Sequence, residues 1–197
     1  MRVLRPVFAA GVLALLASPA LAQDRYATVD VRAGYTFNSG VAGDSLKGQT
    51  SFGAGAHIAL GNRLRLGLTA DWAHHSQFVG PDSVVGGPDD LKWNVLHTFL
   101  KLSFDLVQTD KVTFALNAGP GIMVFSPNQV LKDTRGVKSD AHLAVNAGAT
   151  LTYWFAERIG LIGSIQADIA MKKTTGQIFQ DGSAMMVPIT GGFAFKI

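Results

Sequence analysis

The sequence predicts an all-β protein, an eight-stranded antiparallel up-and-down barrel, and three observations predict it. Eight segments alternate apolar residues with polar or very small ones at a period of two. The connections between them alternate between tight turns and long polar stretches. The composition is that of strands: Gly, Thr, Val and Phe are abundant, and Glu157 is the single glutamate. Alternate side chains leave a strand on opposite faces, so a period of two marks segments with one apolar and one polar side.

The chain opens with a different kind of segment. Arg2 and Arg5 precede an apolar run from Val7 to Ala17, followed by Pro19 and the small pair Ala20 and Ala22. This is the order of a secretory signal peptide, so residues 1–22 are expected to be cleaved, leaving a single mature domain, residues 23–197. The run falls short of the ~20 residues a membrane-spanning helix needs. There is no cysteine, which excludes disulfides, thiolate metal sites and a lipid-bearing cysteine after the leader. Removing Arg2 and Arg5 from the 17 basic residues leaves 15 against 14 acidic ones, a net charge of +1. With no basic stripe, there is no electrostatic footprint for nucleic acid.

The eight segments follow in order. The first sets Val29, Val31, Ala33, Tyr35 and Phe37 against Asp30, Arg32, Gly34 and Thr36. The second sets Phe52, Ala54, Ala56, Ile58 and Leu60 against Ser51, Gly53, Gly55 and His57, and the third sets Leu64, Leu66, Leu68, Ala70 and Trp72 against Arg63, Arg65, Gly67, Thr69 and Asp71. In the fourth, about Trp93 to Leu106, Leu96, Leu100, Leu102, Phe104 and Leu106 alternate with His97, Phe99, Lys101, Ser103 and Asp105. In the fifth, Val112, Phe114, Leu116, Ala118, Ile122 and Val124 oppose Thr113, Asn117, Gly119 and Gly121. The sixth sets Leu143, Val145, Leu151, Tyr153 and Phe155 against His142, Asn146, Gly148 and Thr152. The seventh sets Ile159, Leu161, Ile165 and Ile169 against Arg158, Gly160, Ser164, Gln166 and Asp168, and the eighth sets Val187, Ile189, Phe193, Phe195 and Ile197 against Thr190, Gly192, Ala194 and Lys196. Phe99, Trp154 and Ile162 fall on the polar face. Pro120 and Pro188 sit inside strands, where a missing ladder donor predicts a bulge or local break.

The connections at Gly61–Asn62, at Val107–Asp110 and near Ala156–Glu157 are tight, whereas those at 38–49, 77–92, 126–140 and 172–183 are long and polar. Strict alternation of short and long is the layout of a transmembrane β-barrel with periplasmic turns and extracellular loops. Both termini then face the periplasm. A soluble barrel with the apolar face inward has the same parity. The inverted arrangement is favoured because glycine and alanine crowd the polar face, which suits a narrow lumen. Tyr35, Phe37, Trp72, Phe104, Tyr153, Phe155, Phe193 and Phe195 lie near strand ends on the apolar face, where interfacial aromatic girdles belong.

The last eight residues, TGGFAFKI, place Thr190 and Gly192 on one face and Phe195 and Ile197 on the other. This resembles the C-terminal signal read by the barrel assembly machinery, although that pattern normally ends in an aromatic residue and Ile197 departs from it. With the leader and the eight strands, the mature chain resembles the small outer-membrane barrels of the OmpA-like transmembrane domain and OmpX type. The resemblance implies a location in the cell outer membrane of a Gram-negative-type bacterium, in contact with its lipid and lipopolysaccharide. A peptidoglycan-binding domain is not expected after the barrel.

The polar face carries Asp30, Arg32, Arg65, Asp71, Lys101, Asp105, Arg158, Asp168 and Lys196. On the lipid face at mid-membrane an arginine costs about 2 to 4 kcal/mol. Inside, these charges are expected to form a network, because isolated buried charges are very costly. Arg65 and Asp105, near the short-turn ends of neighbouring strands, are an expected pair. Two functions are open to such a lumen: a satisfied polar core with no passage, and a narrow channel for small solutes. His74 and Ser76 form an H-x-S pair that weakly resembles the one in lipid A deacylase barrels, acyl hydrolases that need the histidine as base and a carboxylate to orient it. In that family the pair lies late in the chain with its acidic partner after it, and this sequence has neither feature. His74 and His75 point to opposite faces and do not form a metal site. The expectation is a non-catalytic barrel without cofactor, serving envelope integrity or surface interaction, with any extracellular ligand met by the four long loops.

Overall fold

The structure is a computed structural model and describes residues 27–39, 48–76, 92–129, 132–133, 138–171 and 183–197. The expected signal peptide and most of the connections at 38–49, 77–92 and 172–183 lie outside the described residues, as do residues 130–131 and 134–137 of the connection at 126–140. Eight strands form: β1 (Ala27–Ser39), β2 (Gln49–Ala59), β3 (Leu64–Ser76), β4 (Lys92–Gln108), β5 (Val112–Pro127), β6 (Asp140–Trp154), β7 (Ile159–Ala170) and β8 (Ala184–Lys196). Each pairs antiparallel with its neighbours in sequence, and β1 pairs with β8 from Thr28↔Lys196 to Ser39↔Met185, closing the cylinder. Among the described residues no edge strand remains to template association.

Each short hairpin is fastened where its strands end. The Leu60 N–H donates to the Leu64 carbonyl, Thr109 N–H to Val112 and Ala156 N–H to Ile159. The Thr109 hydroxyl adds a side-chain clasp, accepting from the Val112 N–H at 2.9 Å. Both prolines sit within continuous register. At Pro120 the β5–β6 ladder runs through, whereas the β4–β5 pairing skips from Phe99↔Gly121 to Leu102↔Ala118. At Pro188 the β1–β8 ladder runs through, and the β7–β8 pairing skips from Ile165↔Ile189 to Asp168↔Met186. A missing N–H thus opens one side of the ladder without shifting it. The register shift falls instead between Asp105 and Val107, where Leu106 and Val107 both turn outward.

The apolar face points out. Leu68, Leu100, Leu102, Leu116, Leu151, Leu161, Ile165 and Ile189 are all exposed, and the buried residues are largely polar or charged. Outward aromatics flank both ends of the wall. Tyr35, Phe37, Phe52 and Trp72 stand near the long-loop end, and Phe104, Tyr153 and Phe155 near the short turns. Inside, glycine makes room for larger neighbours. A methyl group on Gly53 would collide with the Asp71 carboxylate, and one on Gly67 with the His57 imidazole.

Candidate functional site

The interior is where the chain brings its chemistry together, because the period of two turns every second residue of eight strands toward one axis. Arg32 and Asp30 are two apart on β1, so both enter the lumen, and Arg32 Nε lies 2.7 Å from Asp30 Oδ1. The same guanidinium reaches β3, with Nη2 3.3 Å from Asp71 Oδ1, and donates to the Ser164 hydroxyl on β7 at 3.4 Å. Ser164 in turn lies 2.8 Å from the Thr190 hydroxyl. Asp30 has a second partner, His57 Nε2 at 3.1 Å. One arginine and one aspartate thereby tie β1, β2, β3 and β7 across the cylinder.

Two further clusters flank this centre. Asp168 on β7 is buried and lies 2.7 Å from His97 Nδ1 on β4, while its other oxygen accepts from the Asn146 amide. Arg65 donates to Asp105 from Nε at 3.0 Å and from Nη2 at 2.5 Å. Lys101 is buried and has no carboxylate within ion-pair distance among the described residues. It donates to Gln166 Oε1 at 3.4 Å and sits 5.7 Å from the Phe99 ring centroid. Beside it is a cavity of about 30 Å³ lined by Arg32, Lys101, Asn117 and Gln166, among others. That is room for a water or two.

Apolar residues close both sides of the charged centre. Toward the long-loop end, Trp93, Val95, Phe99, Met123, Phe125 and Met186 form one buried cluster with small alanines. Toward the short turns, Trp154, Ile162 and Ala194 form a second. Trp154 donates its indole N–H to the Thr113 hydroxyl at 3.2 Å, and its ring carries the Lys196 ammonium at 4.2 Å from the centroid.

This closed eight-stranded wall has counterparts among solved structures. Neisserial surface protein A matches with a TM-score of 0.64 at 13% identity, over 89% of this chain and 100% of that one. A major outer membrane protein from Thermus thermophilus gives 0.60 at 14% identity, over 89% of this chain and 100% of that one. The chain has the fold of the small eight-stranded outer-membrane β-barrels. Ail, the attachment invasion locus protein of Yersinia pestis, solved with the heparin analogue sucrose octasulfate, gives 0.50 at 12% identity, over 87% and 97%. The sequence matches no protein-family model and no curated protein.

Within this outer-membrane-type barrel the sequence-predicted charges divide. Asp30, Arg32, Asp71, Lys101, Asp105 and Asp168 are buried in the lumen, with Arg65 half-buried beside Asp105. Lys196 is half-buried at the short-turn mouth. Arg158 is a correction: it lies in the turn before β7, exposed, with its carbonyl accepting from the Lys196 N–H. The alternation extended one residue past the start of β7, where a turn frees the side chain from the strand's parity. Of the C-terminal pattern, Thr190 and Gly192 turn inward, and Phe195 and Ile197 are exposed on the outer wall. His74 stands on the outer wall beside Trp72, with Nδ1 2.6 Å from Asn94 Oδ1. Its neighbour across the strand pair is thus an amide. No group of three or more His, Cys, Asp or Glu suited to a metal exists among the described residues.

Sequence reasoning missed the apolar clusters. Phe99, Trp154 and Ile162 stood out as breaks in the alternation, and those breaks were the signal. Trp93, Val95, Met123, Phe125 and Met186 share the inward parity of Lys101, Asn117 and Thr190.

Proposed function

We propose that this protein is a non-conducting, non-catalytic barrel of the outer membrane that serves envelope integrity or surface recognition through the four long connections, 38–49, 77–92, 126–140 and 172–183. The observation that carries the reading is the filled lumen. The Asp30–Arg32–Asp71 centre lies between two apolar clusters, His97 and Asp168 are set within the one toward the long loops, and the cavity beside Lys101 has room for only a water or two. An ion entering this centre would have to displace partners already in hydrogen-bond contact, at the cost of leaving buried charges uncompensated. A rigid wall with long connections at one end suits recognition, since binding residues gather on loops held by a stable scaffold. The Yersinia pestis protein of the same fold, solved with a sulfated heparin analogue, is consistent with that use.

The outward aromatics at both wall ends support placement in a bilayer, with lipid and lipopolysaccharide as surroundings. Thr190, Gly192, Phe195 and Ile197 are the residues offered to the assembly machinery. His74 hydrogen-bonds an amide where an acyl hydrolase needs a carboxylate, which supports a non-catalytic reading. Reconstitution of the mature chain in planar bilayers tests the proposal. Baseline current at all voltages is expected, and stable single-channel steps would make the barrel a small-solute channel instead.

A further inference from the structure

The outer wall is uneven in one place. Along one cross-strand row, Val29 pairs with Ala56, Ala56 with Leu68 and Leu68 with Leu100. One row nearer the short turns, Ile58 pairs with Leu66. Ala56 is therefore a methyl group ringed by Val29, Ile58, Leu66, Leu68 and Leu100, and the result is a hollow of about 170 Å³. A hollow of this size takes a short length of hydrocarbon chain. Its outward side chains are aliphatic, so the contact it offers a ligand is predominantly apolar.

A charge stands beside it. Arg63 lies in the turn between β2 and β3, three residues before Leu66 and on the short-turn side of the hollow. It is exposed, and among the described residues its guanidinium has no carboxylate partner. The peptide that carries it is held, because the Arg63 carbonyl accepts from the Asp105 N–H at 2.8 Å. An aliphatic slot within the wall and an exposed cation in the adjoining turn match the two halves of a glycerophospholipid.

We infer that this face of β1–β3 retains one glycerophospholipid of the inner leaflet, an acyl chain lying over Ala56 and the phosphate at Arg63. The inference rests on the membrane orientation proposed above, which turns the short-turn end toward the periplasm. Phospholipid rather than lipopolysaccharide is the occupant because the hollow is on that side.

Native mass spectrometry of the full mature chain, released from detergent with added phosphatidylglycerol, tests it. One retained phosphatidylglycerol is expected. Ala56→Phe, which fills the hollow from the outside, is expected to lower retention at least fivefold, and Arg63→Gln to lower it several-fold. Ala147→Phe is the control, since Ala147 faces outward on β6 in register with Ala118 and Ala167, on the far wall. Equal retention by Ala56→Phe and wild type overturns the site. Equal loss in Ala56→Phe and Ala147→Phe also overturns it, because the lipid is then general to the wall. Gel migration with and without boiling separates this from failure of the barrel reading. A protein that shifts on heating yet retains no lipid lacks the site, and one that does not shift lacks the membrane barrel.

Discussion

Arg32 holds two carboxylates from one position. Asp30 lies on its own strand and Asp71 on β3, all three side chains being buried. Removing the guanidinium leaves two buried negative charges without the cation that pairs them. Breaking a buried pair by deleting one partner costs about 3 to 5 kcal/mol. Arg32→Ala is therefore expected to lower the unfolding free energy of the vesicle-embedded barrel by that order, read from urea denaturation. Arg158→Ala, in an exposed turn, is expected to change stability by less than about 0.5 kcal/mol. Equal effects of the two substitutions would mean that the lumen charges are solvated. The sequence alone placed both arginines on one face, and only the start of β7 at Ile159 separates them.

At the scale of strands, the period of two made the faces and the short hairpins legible, because parity is a local property of the chain. The Arg65–Asp105 pair was legible for the same reason, its two strands being joined by pairing next to a tight turn. His97 with Asp168 was not, since their strands meet only through the lumen, and strand parity says nothing of which side chains meet across it. The apolar cluster of β4, β5 and β8 escaped for a related reason. Parity says which way Phe125 or Met186 points but not that several strands deliver apolar groups to one level. The orientation itself has a test on a single strand. Lys101 and Leu102 are adjacent on β4, yet Lys101 is 3% exposed and Leu102 49%, so the two sides of the wall differ by one residue. Leu102→Arg is expected to cost about 2 to 4 kcal/mol in lipid vesicles, by chemical denaturation. A neutral outcome there would place Leu102 against water.

For the whole molecule, closure decides what the interior can do. With β1 paired to β8 and every strand bonded on both sides, the wall has no edge, and any passage must run the length of the lumen. Two obstructions lie along that path among the described residues: the apolar cluster toward the long loops, with His97 and Asp168 set among its members, and the Asp30–Arg32–Asp71 centre beyond it. Obstructions in series conduct only when all are removed, so truncating one is a stability experiment and not a gating one. Phe99→Ala with Phe125→Ala removes two of the largest buried side chains from the first obstruction. Each truncation in a packed core costs about 3 to 5 kcal/mol, less where neighbours collapse into the space. The double variant is therefore expected to unfold at lower urea while its planar-bilayer current stays at baseline, because Asp30, Arg32 and Asp71 still occupy the centre. Channel steps in this variant, with wild type silent, would mean that water and ions already pass the charged centre and that the aromatic cluster alone closes the pore.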